Sequence, residues 1–359
     1  MRYILSHLYV AISLLLFVVI MLWLGTTQSF AQDETPELLE LEGGIPAGFM
    51  VIEGDIIVPE SFFEQNGESS RGGFGDTQFW PNGAVPFRFD TTGNDAVSQA
   101  NQNAMQSAMG DLEAVANVTF VPRTSQTNFI TIRNSTNDMC GSPPEPCPRN
   151  SSAVGMVGGD QIVNIVSWNT NFVMVHELMH ALGFWHEQSR PDRDHYIEIN
   201  PDNIDPDNLH NFQIRSAVDV YPKRDYGLSD ADTYDFDSVM HYGQCAFAVS
   251  ACPPNTTITV SPPNQAWQNQ IGQRVRLSDL DSLTVSLLYR QPNWRFVDRT
   301  NTGSQNGSFS DPYRIFSDGT THTPTGGTLF IQPGNYYAVG TYNKELILDA
   351  PLGNVVLGN

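Results

Sequence analysis

The chain has 359 residues, of which 40% are hydrophobic, so it is long enough for two or three domains with a substantial core. Its formal net charge of -21 at pH 7 argues against nucleic acid as a partner, because few cationic side chains are available to neutralise phosphates. We interpret the acidic balance as a solubility feature of an exported protein.

A run of apolar residues near the start predicts export. Residues 8–24 are almost wholly apolar, follow Arg2, and lead to the stretch 29–31, which is typical of a small-residue cleavage site. We therefore predict a signal peptide over residues 1–31 and a secreted, extracellular protein with no stable membrane association after cleavage. The alternative is an uncleaved anchor, because an apolar run of 17 residues touches the lower limit for a membrane span.

Residues 32–71 are acidic and rich in glycine and show little hydrophobic periodicity, so we expect them to form a poor core on their own. Their composition resembles that of a propeptide. Arg71, followed by Gly72 and Gly73, offers a cut for a trypsin-like activating protease or for self-processing.

The next segment contains both strands and helices. Strands are predicted at 85–89, 118–121, 129–133 and 161–166, and a long amphipathic helix at 95–116 with Asn94 as its N-cap. The order favours an α+β fold with a mixed sheet over two helices. The edge strand of such a sheet usually borders a cleft, where an extended peptide can add as a further strand.

The segment 176–186, HELMHALGFWH, carries the strongest chemical signal. His176 and His180 are four residues apart, so on a helix both imidazoles lie on one face and can hold a single ion. Glu177 projects roughly 100° further round the helix, which places a carboxylate beside a metal-bound water as a general base. Gly183 can adopt a positive φ, so the helix can end there and the chain can return with His186 as third ligand.

Three histidines and one open position are typical of a catalytic zinc ion, whereas a closed shell of four protein ligands indicates a structural role. The short H-E-x-x-H pattern alone also occurs on ordinary surface helices. Gly183 and His186 make the match far more specific, and this longer form is the metzincin signature, which is completed by a Met-turn. Residues 238–242, SVMHY, are the candidate for that turn, with Met240 as an apolar floor beneath the metal.

The residues after the third histidine make the sequence resemble the astacin family of zinc metallopeptidases, within the metzincin clan. Glu187, Arg190 and the run 192–194 resemble that family's H-E-x-x-R-x-D-R-D pattern. Further similarity at 80–87 and 271–289 extends the resemblance, which covers about residues 52–290.

The resemblance implies a two-lobed metzincin catalytic domain over residues 72–290, with a mixed twisted sheet and a zinc-site helix. It implies that Tyr242 is a weak zinc ligand that swings toward the transition state. It also implies latency, since the segment 52–55, IEGD, resembles the family's F-x-G-D motif, in which Asp55 would fill the open zinc position in the zymogen only. Because Gly-Asp pairs are common in turns, a plain turn stays open as the alternative.

The four cysteines fall into two local pairs, Cys140 with Cys147 and Cys245 with Cys252. In an exported chain, an even count at equal, short spacing predicts two small disulfide loops, although three connectivities are formally open. Reactive thiols are the less favoured interpretation.

The composition changes over residues 291–359, which are rich in Gly, Asn, Thr and Ser. Short strands are predicted at 328–331, 346–348 and 355–357, separated by turns. The pattern at 326–337 resembles the opening rungs of right-handed parallel β-helix domains. We expect a short all-β tail that packs against the protease or is incomplete, since roughly three rungs are needed to bury a solenoid core.

Together these signals predict a secreted zinc endopeptidase, made as a zymogen, that hydrolyses peptide bonds of protein or peptide substrates. One zinc ion per chain would be held by His176, His180 and His186, with Glu177 and Tyr242 as the catalytic residues. The alternative is a catalytically inactive zinc-binding module for adhesion at a surface. Glu177 favours the enzyme, because a retired enzyme has little reason to keep the base beside three intact ligands.

Overall fold

The computed structural model describes residues 41–60, 79–215, 234–308, 311–350 and 354–358. The predicted signal peptide and the Arg71 cleavage site lie outside these residues. Within the described ranges, no helix combines the length and the apolar character that a membrane crossing requires.

The described residues form four α-helices: α1 Gln99–Val115, α2 Asn171–Leu182, α3 Asp279–Leu288 and α4 Phe316–His322. The strands before residue 150 are β1 Leu41–Glu42, β2 Ile45–Pro46, β3 Phe49–Ile52, β4 Ile56–Pro59, β5 Ala84–Phe89, β6 Thr119–Pro122, β7 Phe129–Asn134, β8 Met139–Cys140 and β9 Glu145–Pro146. The later strands are β10 Ser151–Ala153, β11 Asp160–Ile165, β12 Ile197–Ile199, β13 Ile258–Val260, β14 Trp294–Val297, β15 Thr328–Ile331, β16 Gly334–Tyr337, β17 Ile347–Asp349 and β18 Val355–Gly358.

The largest sheet has seven strands in the order β3-β4-β10-β11-β7-β5-β6. Strands β6, β5, β7 and β11 are parallel to one another, and β10 is antiparallel to β11. Strand β4 pairs parallel with β10, and β3 pairs antiparallel with β4 at the outer edge. The sheet is therefore mixed, and together with α1 and α2 it confirms the predicted α+β fold.

Helices α1 and α2 bury their apolar faces in the core that includes this sheet. Met105 and Leu112 of α1 are fully buried, as is Leu178 of α2, and all three share one core with Ile130 of β7. Each such side chain contributes roughly 1.5–3 kcal/mol by leaving water. The helix that carries the metal motif is thus held by tertiary packing rather than by its own helix propensity.

Helix α1 begins at Gln99, four residues later than the sequence pattern predicted. Its N-cap is Ser98, whose hydroxyl oxygen accepts the Asn101 N–H at 3.3 Å, so the prediction of Asn94 as N-cap was wrong. Asp95 stays outside the helix and its carboxylate pairs with Arg133 at 2.7 Å. A tertiary ion pair therefore accompanies the later start.

A second core, rich in aromatic residues, forms from the chain that follows α2. It includes Tyr196, Phe212, Tyr234 and Tyr242. Met240, in the predicted Met-turn, belongs to the first core and is 2% exposed. Two cores on either side of this turn agree with the predicted two-lobed catalytic domain.

Residues 41–60 form strands β1–β4, which the sequence pattern did not reveal. Ile52 and Ile56 of this stretch are buried, and they pack with Val154 and Trp185 of the catalytic segment. The stretch has no core of its own, as expected. Its strands are stabilised because another part of the chain completes their apolar face.

Both predicted disulfides, Cys140–Cys147 and Cys245–Cys252, are present, and all four cysteines are thereby paired. Each closes a loop between residues seven apart in sequence. The thiol alternative is excluded.

The tail continues directly from α3. Strands β14, β15 and β17 form one parallel sheet, and β16 pairs parallel with β18, as the rungs of a β-helix do. Leu287 of α3 packs with Phe296 and Phe330, so the tail contacts the catalytic segment as expected. The all-β expectation missed α4, which lies so close to the sheet that a Cβ at Gly319 would come within 2.2 Å of Val297.

Candidate metal centre and cleft

Helix α2 presents the histidines of the motif from a fully buried face. His176 and His180 are 2% and 0% exposed. The helix ends at Gly183, which has φ 113° and whose N–H returns to the His180 carbonyl at 2.8 Å. A residue with a Cβ would be strained in this left-handed conformation, so glycine is what allows the chain to bring His186 back to the cluster.

Four donor groups converge at this point: the imidazoles of His176, His180 and His186 and the carboxylate of Asp55, all with ligand atoms within 4.8 Å of one another. The Nε2 atom of His176 lies 3.1 Å from that of His180 and 3.3 Å from that of His186. The Asp55 oxygens lie 3.2 Å from the Nε2 atoms of His176 and His186, and 3.7 Å from that of His180.

These separations fit one zinc ion. At metal–ligand distances of about 2.0–2.1 Å, two ligands of a tetrahedron lie about 3.3 Å apart. Asp55 Oδ1 is a buried oxygen with no hydrogen-bond partner among the described residues, as expected for an atom directed at a cation. Burial lowers the pKa of His186, but the carboxylates of Asp55 and Glu53 outweigh burial and raise it to about 9. The two carboxylates thus place negative charge here, which a metal cation would neutralise in place of the proton.

The second nitrogen of each helix histidine is held in place. Nδ1 of His176 lies 2.8 Å from the Val239 carbonyl oxygen, and Nδ1 of His180 lies 2.6 Å from that of Phe184. A donor bond from Nδ1 to a carbonyl leaves the Nε2 lone pair free for a metal. Burial also lowers the pKa of His176 to about 3 and lowers that of His180, which favours the neutral, ligating form.

Glu177 lies beside the cluster and not in it. Its side chain is 1% exposed, it lines the same cleft as Asp55 and His176, and its Oε2 has no hydrogen-bond partner within the described chain. Burial raises its pKa well above the usual value, and the negative charge of Asp55 raises it further. Burial and the charge of Asp55 therefore both favour the protonated form of Glu177 while Asp55 is in place.

Tyr242 is also near the metal site, with its ring centroid 4.7 Å from that of His186. Its hydroxyl does not join the four-donor cluster and instead donates a hydrogen bond to the carbonyl oxygen of Glu53. Its role as a zinc ligand stays a prediction for the form of the protein that lacks this contact.

Glu53 was not identified from the sequence, although it is 0% exposed and lies at the centre of the site. Its carboxylate accepts hydrogen bonds from the His186 ring at 2.8 Å and from the Ser189 hydroxyl at 2.9 Å, and it also pairs with Arg215. Only its position next to the Gly54-Asp55 pair could have drawn attention to it. These bonds anchor the β3–β4 turn independently of Asp55.

Arg274 is a second residue of the site that no sequence motif indicated. It lines the cleft together with Glu177 and Tyr242. Burial lowers the pKa of its guanidinium, against the attraction of Asp55 and Glu177. One of its N–H groups donates to the His241 carbonyl at 3.1 Å, which holds the cation at the wall of the cleft.

The comparison with protein families decides the classification: the profile of the Astacin peptidase family matches residues 75–290. The chain belongs to the astacin family. This confirms the resemblance, and the family assignment and the donor set together confirm one zinc ion as the cofactor of the site.

Individual relatives are similar over the same segment. Zinc metalloproteinase nas-14 of Caenorhabditis elegans is 33% identical over 216 residues, which is 59% of this chain and 37% of the relative. Tolloid-like protein 2 of Homo sapiens is 35% identical over 217 residues, or 60% of this chain and 19% of the relative. The chain thus spans well under half of the length of these two relatives.

Low choriolytic enzyme of Oryzias latipes is matched over more of its length: it is 31% identical over 247 residues, 67% of this chain and 78% of the relative. Among solved structures, High choriolytic enzyme 1, a hatching enzyme zinc-protease from the same fish, is 29% identical. That alignment covers 59% of this chain and 92% of the other, with a TM-score of 0.47.

Proposed function

We propose that the protein is a secreted zinc endopeptidase that is made as a zymogen. The observation that carries the proposal is the position of Glu177: a buried carboxylate beside a three-histidine cluster whose fourth position is filled by a residue from the predicted propeptide. The two short-range disulfides and the apolar segment 8–24 support secretion.

A zinc ion held by His176, His180 and His186 would supply Lewis-acid polarisation of the scissile carbonyl and a lowered pKa of a water molecule. Glu177 would accept a proton from that water and return it to the departing amine. The base needs to be ionised for the first step. Removal of Asp55 takes away a negative charge that now raises the pKa of Glu177, so activation prepares the base as well as opening the site.

Tyr242 would act on the oxyanion that develops at the carbonyl. Once Glu53 has left, the phenol hydroxyl loses its present acceptor and is free to donate to substrate. Burial raises the pKa of this hydroxyl well above its usual value, so it stays protonated and able to donate.

Latency follows from the tip of the β3–β4 hairpin. Glu53, Gly54 and Asp55 lie in the cleft, and Asp55 occupies the fourth donor position of the histidine cluster. With zinc bound, a water or a substrate carbonyl would need that position. The hairpin also covers the edge of the sheet, because the Ser152 N–H of β10 donates to the Asp55 carbonyl at 2.9 Å. An extended substrate that adds to β10 requires this same edge.

Arg274 supports a preference for acidic substrates. In the present form its charge interacts with Asp55 and Glu177 inside the cleft. When Asp55 is removed, this buried cation loses one of the carboxylates whose negative charge it interacts with. A substrate side chain that brings a new carboxylate would be stabilised there.

The test is a cleavage profile of the chain after cutting at Arg71, on a proteome-derived peptide library, with metal content measured on the same sample. We expect close to one equivalent of zinc, peptide cleavage that stops on chelation and returns with zinc, and enrichment of Asp and Glu near the cut. Bound zinc without any cleavage would instead favour the inactive surface-binding module.

A further inference from the structure

The β1–β2 turn of the predicted propeptide contacts the catalytic segment at a place that the metal site does not include. Gly43 and Gly44 form this turn, both are buried, and both have left-handed backbone, with φ of 55° and 77°. They fill a notch lined by Arg133, Asp138 and Asn164 and by the Cys140–Cys147 disulfide, which we call the glycine notch.

The polar side of the glycine notch is preorganised. Arg133, 2% exposed, donates to Asp138 at 2.7 and 2.8 Å and to the Asn164 side-chain oxygen at 2.8 Å. The side-chain nitrogen of Asn164, which is 0% exposed, donates to the Gly44 carbonyl at 2.9 Å and to the Ser151 hydroxyl at 2.9 Å. The glycine backbone therefore completes a buried polar network that belongs to the catalytic segment.

The fit leaves no room for a side chain. A Cβ on Gly44 would lie 2.2 Å from an Arg133 nitrogen and 2.6 Å from an Asp138 oxygen. A Cβ on Gly43 would lie 2.2 and 2.7 Å from the sulfurs of Cys140 and Cys147. Arg133 and Asp138 are buried and bonded to each other, and the two half-buried sulfurs are joined in a disulfide. None of these groups can move aside cheaply, so the notch selects a turn of two residues without side chains.

We propose that the glycine notch is a second binding site for the propeptide, which holds the zymogen closed without using the metal. The proposal rests on the proposed latency and extends it, because the predicted propeptide is then anchored at two places on the catalytic segment. The first anchor is the metal cluster with the bonds of Glu53, and the second is the Gly43-Gly44 turn. An inhibitory segment anchored twice stays bound when one contact opens, since the other keeps its effective concentration high.

The second anchor lies close to the cleft. Arg149, which lines the cleft, donates to the Cys147 carbonyl at 3.4 Å. Ser151, which accepts a hydrogen bond from Asn164, begins the strand β10 that the hairpin covers. Loss of the turn would therefore free one end of the hairpin beside the metal site and leave the tip contacts intact.

The experiment measures how long the cleaved propeptide remains bound to the catalytic segment. The full chain, loaded with zinc, is cleaved at Arg71 by a trypsin-like protease, and dissociation of the released fragment is followed by size exclusion and mass spectrometry. Gly44→Ala is compared with Gly48→Ala, which is a matched control: Gly48 also has a left-handed φ of 79°, but a Cβ there meets nothing within 4 Å. Both variants carry the same backbone strain, and only one overlaps the notch.

We expect Gly44→Ala to speed dissociation roughly tenfold to a hundredfold relative to Gly48→Ala. The same factor is expected when both are placed in an Asp55→Ala background, because independent anchors contribute additively. Equal rates for the two alanine variants would overturn the proposal. The proposal would also be overturned if the two alanine variants dissociated at equal rates once Asp55 is replaced. The turn would then bind only while the Asp55 contact is present, and would not be an independent anchor. Peptidase activity is assayed separately, so an inactive protein would contradict the proposed function without affecting this result.

Discussion

The metal helix α2 and the β3–β4 hairpin both deliver a donor to the same four-ligand cluster, but by different means. His176 and His180 are on one helix, four residues apart, so local geometry places them together. Asp55 is 121 residues before His176 in sequence, and it arrives through strand pairing at the edge of the sheet. The helix is buried in the first core, whereas the hairpin is the outermost layer of the sheet.

This difference explains why, under the proposed latency, the helix donors are permanent and the hairpin donor is removable. Removing α2 would open the first core. Removing residues 41–60 would instead uncover one sheet edge, the metal cluster, the glycine notch and a small apolar cluster around Ile52. Under the proposed latency, a ligand on an edge hairpin can therefore be released without unfolding of the first core. Apolar packing alone would hold residues 41–60 weakly. Polar contacts at the two anchors, the metal cluster with Glu53 and the glycine notch, add to it.

Glu177→Gln, in the chain cut at Arg71, tests the proposed general base on helix α2. Amide nitrogen and oxygen preserve the shape but cannot accept the proton, so turnover should fall roughly 10²–10⁴-fold while zinc stays bound. Turnover on a quenched peptide and metal content are measured together. Glu198→Gln, at an exposed position of β12, is the control and should keep full activity. Near-normal turnover of the Glu177 variant would contradict the proposed base.

Tyr242→Phe tests the residue that the hairpin shields. If the hydroxyl bonds the developing oxyanion, kcat should fall by about 10² with little change in KM, because the contact forms mainly in the transition state. Tyr289→Phe removes a hydroxyl that is also buried but donates to the Leu182 carbonyl at 2.8 Å, and it should leave kcat unchanged. A Tyr242 variant that loses only substrate affinity would rule the role out.

In the β3–β4 hairpin, Asp55→Ala should raise the activity of the uncut chain by at least about tenfold. No carboxylate would then fill the fourth ligand position, although Glu53 still anchors the turn. Activity is measured on a quenched peptide while mass spectrometry verifies that residues 32–71 remain attached. Glu60→Ala, at an exposed position after β4, is the control. Equal, negligible activity of all uncut forms would mean that latency is steric and that 52–55 is only a turn.

The smallest expected effect concerns specificity. Arg274→Gln should raise KM for peptides with an acidic residue near the cut about threefold to tenfold and leave KM for neutral peptides unchanged. Arg276→Gln is the matched control, two residues away, because Arg276 is exposed and pairs with Asp237 at 2.7 Å outside the cleft. An equal rise in KM for both peptide classes would show that Arg274 only supports the wall of the cleft.

Features that depend on short spacing along the chain could be predicted from the sequence alone. The i, i+4 histidines, the helix end at Gly183 and the two disulfides follow from residues close together in sequence, where chain geometry leaves few choices. Strands such as β15 were also predictable, since Thr328–Ile331 is a compact apolar run.

The distant residues that complete the site are identified only by the tertiary structure. Glu53, Arg215 and Arg274 have no spacing that relates them to His186, and each acquires its role from burial beside it or across the cleft. Strands β1–β4 were missed for the same reason, because their apolar face is satisfied by Val154 and Trp185 and by nothing nearby in sequence. Long-range packing is set by the sum of many weak contacts, which no local pattern encodes.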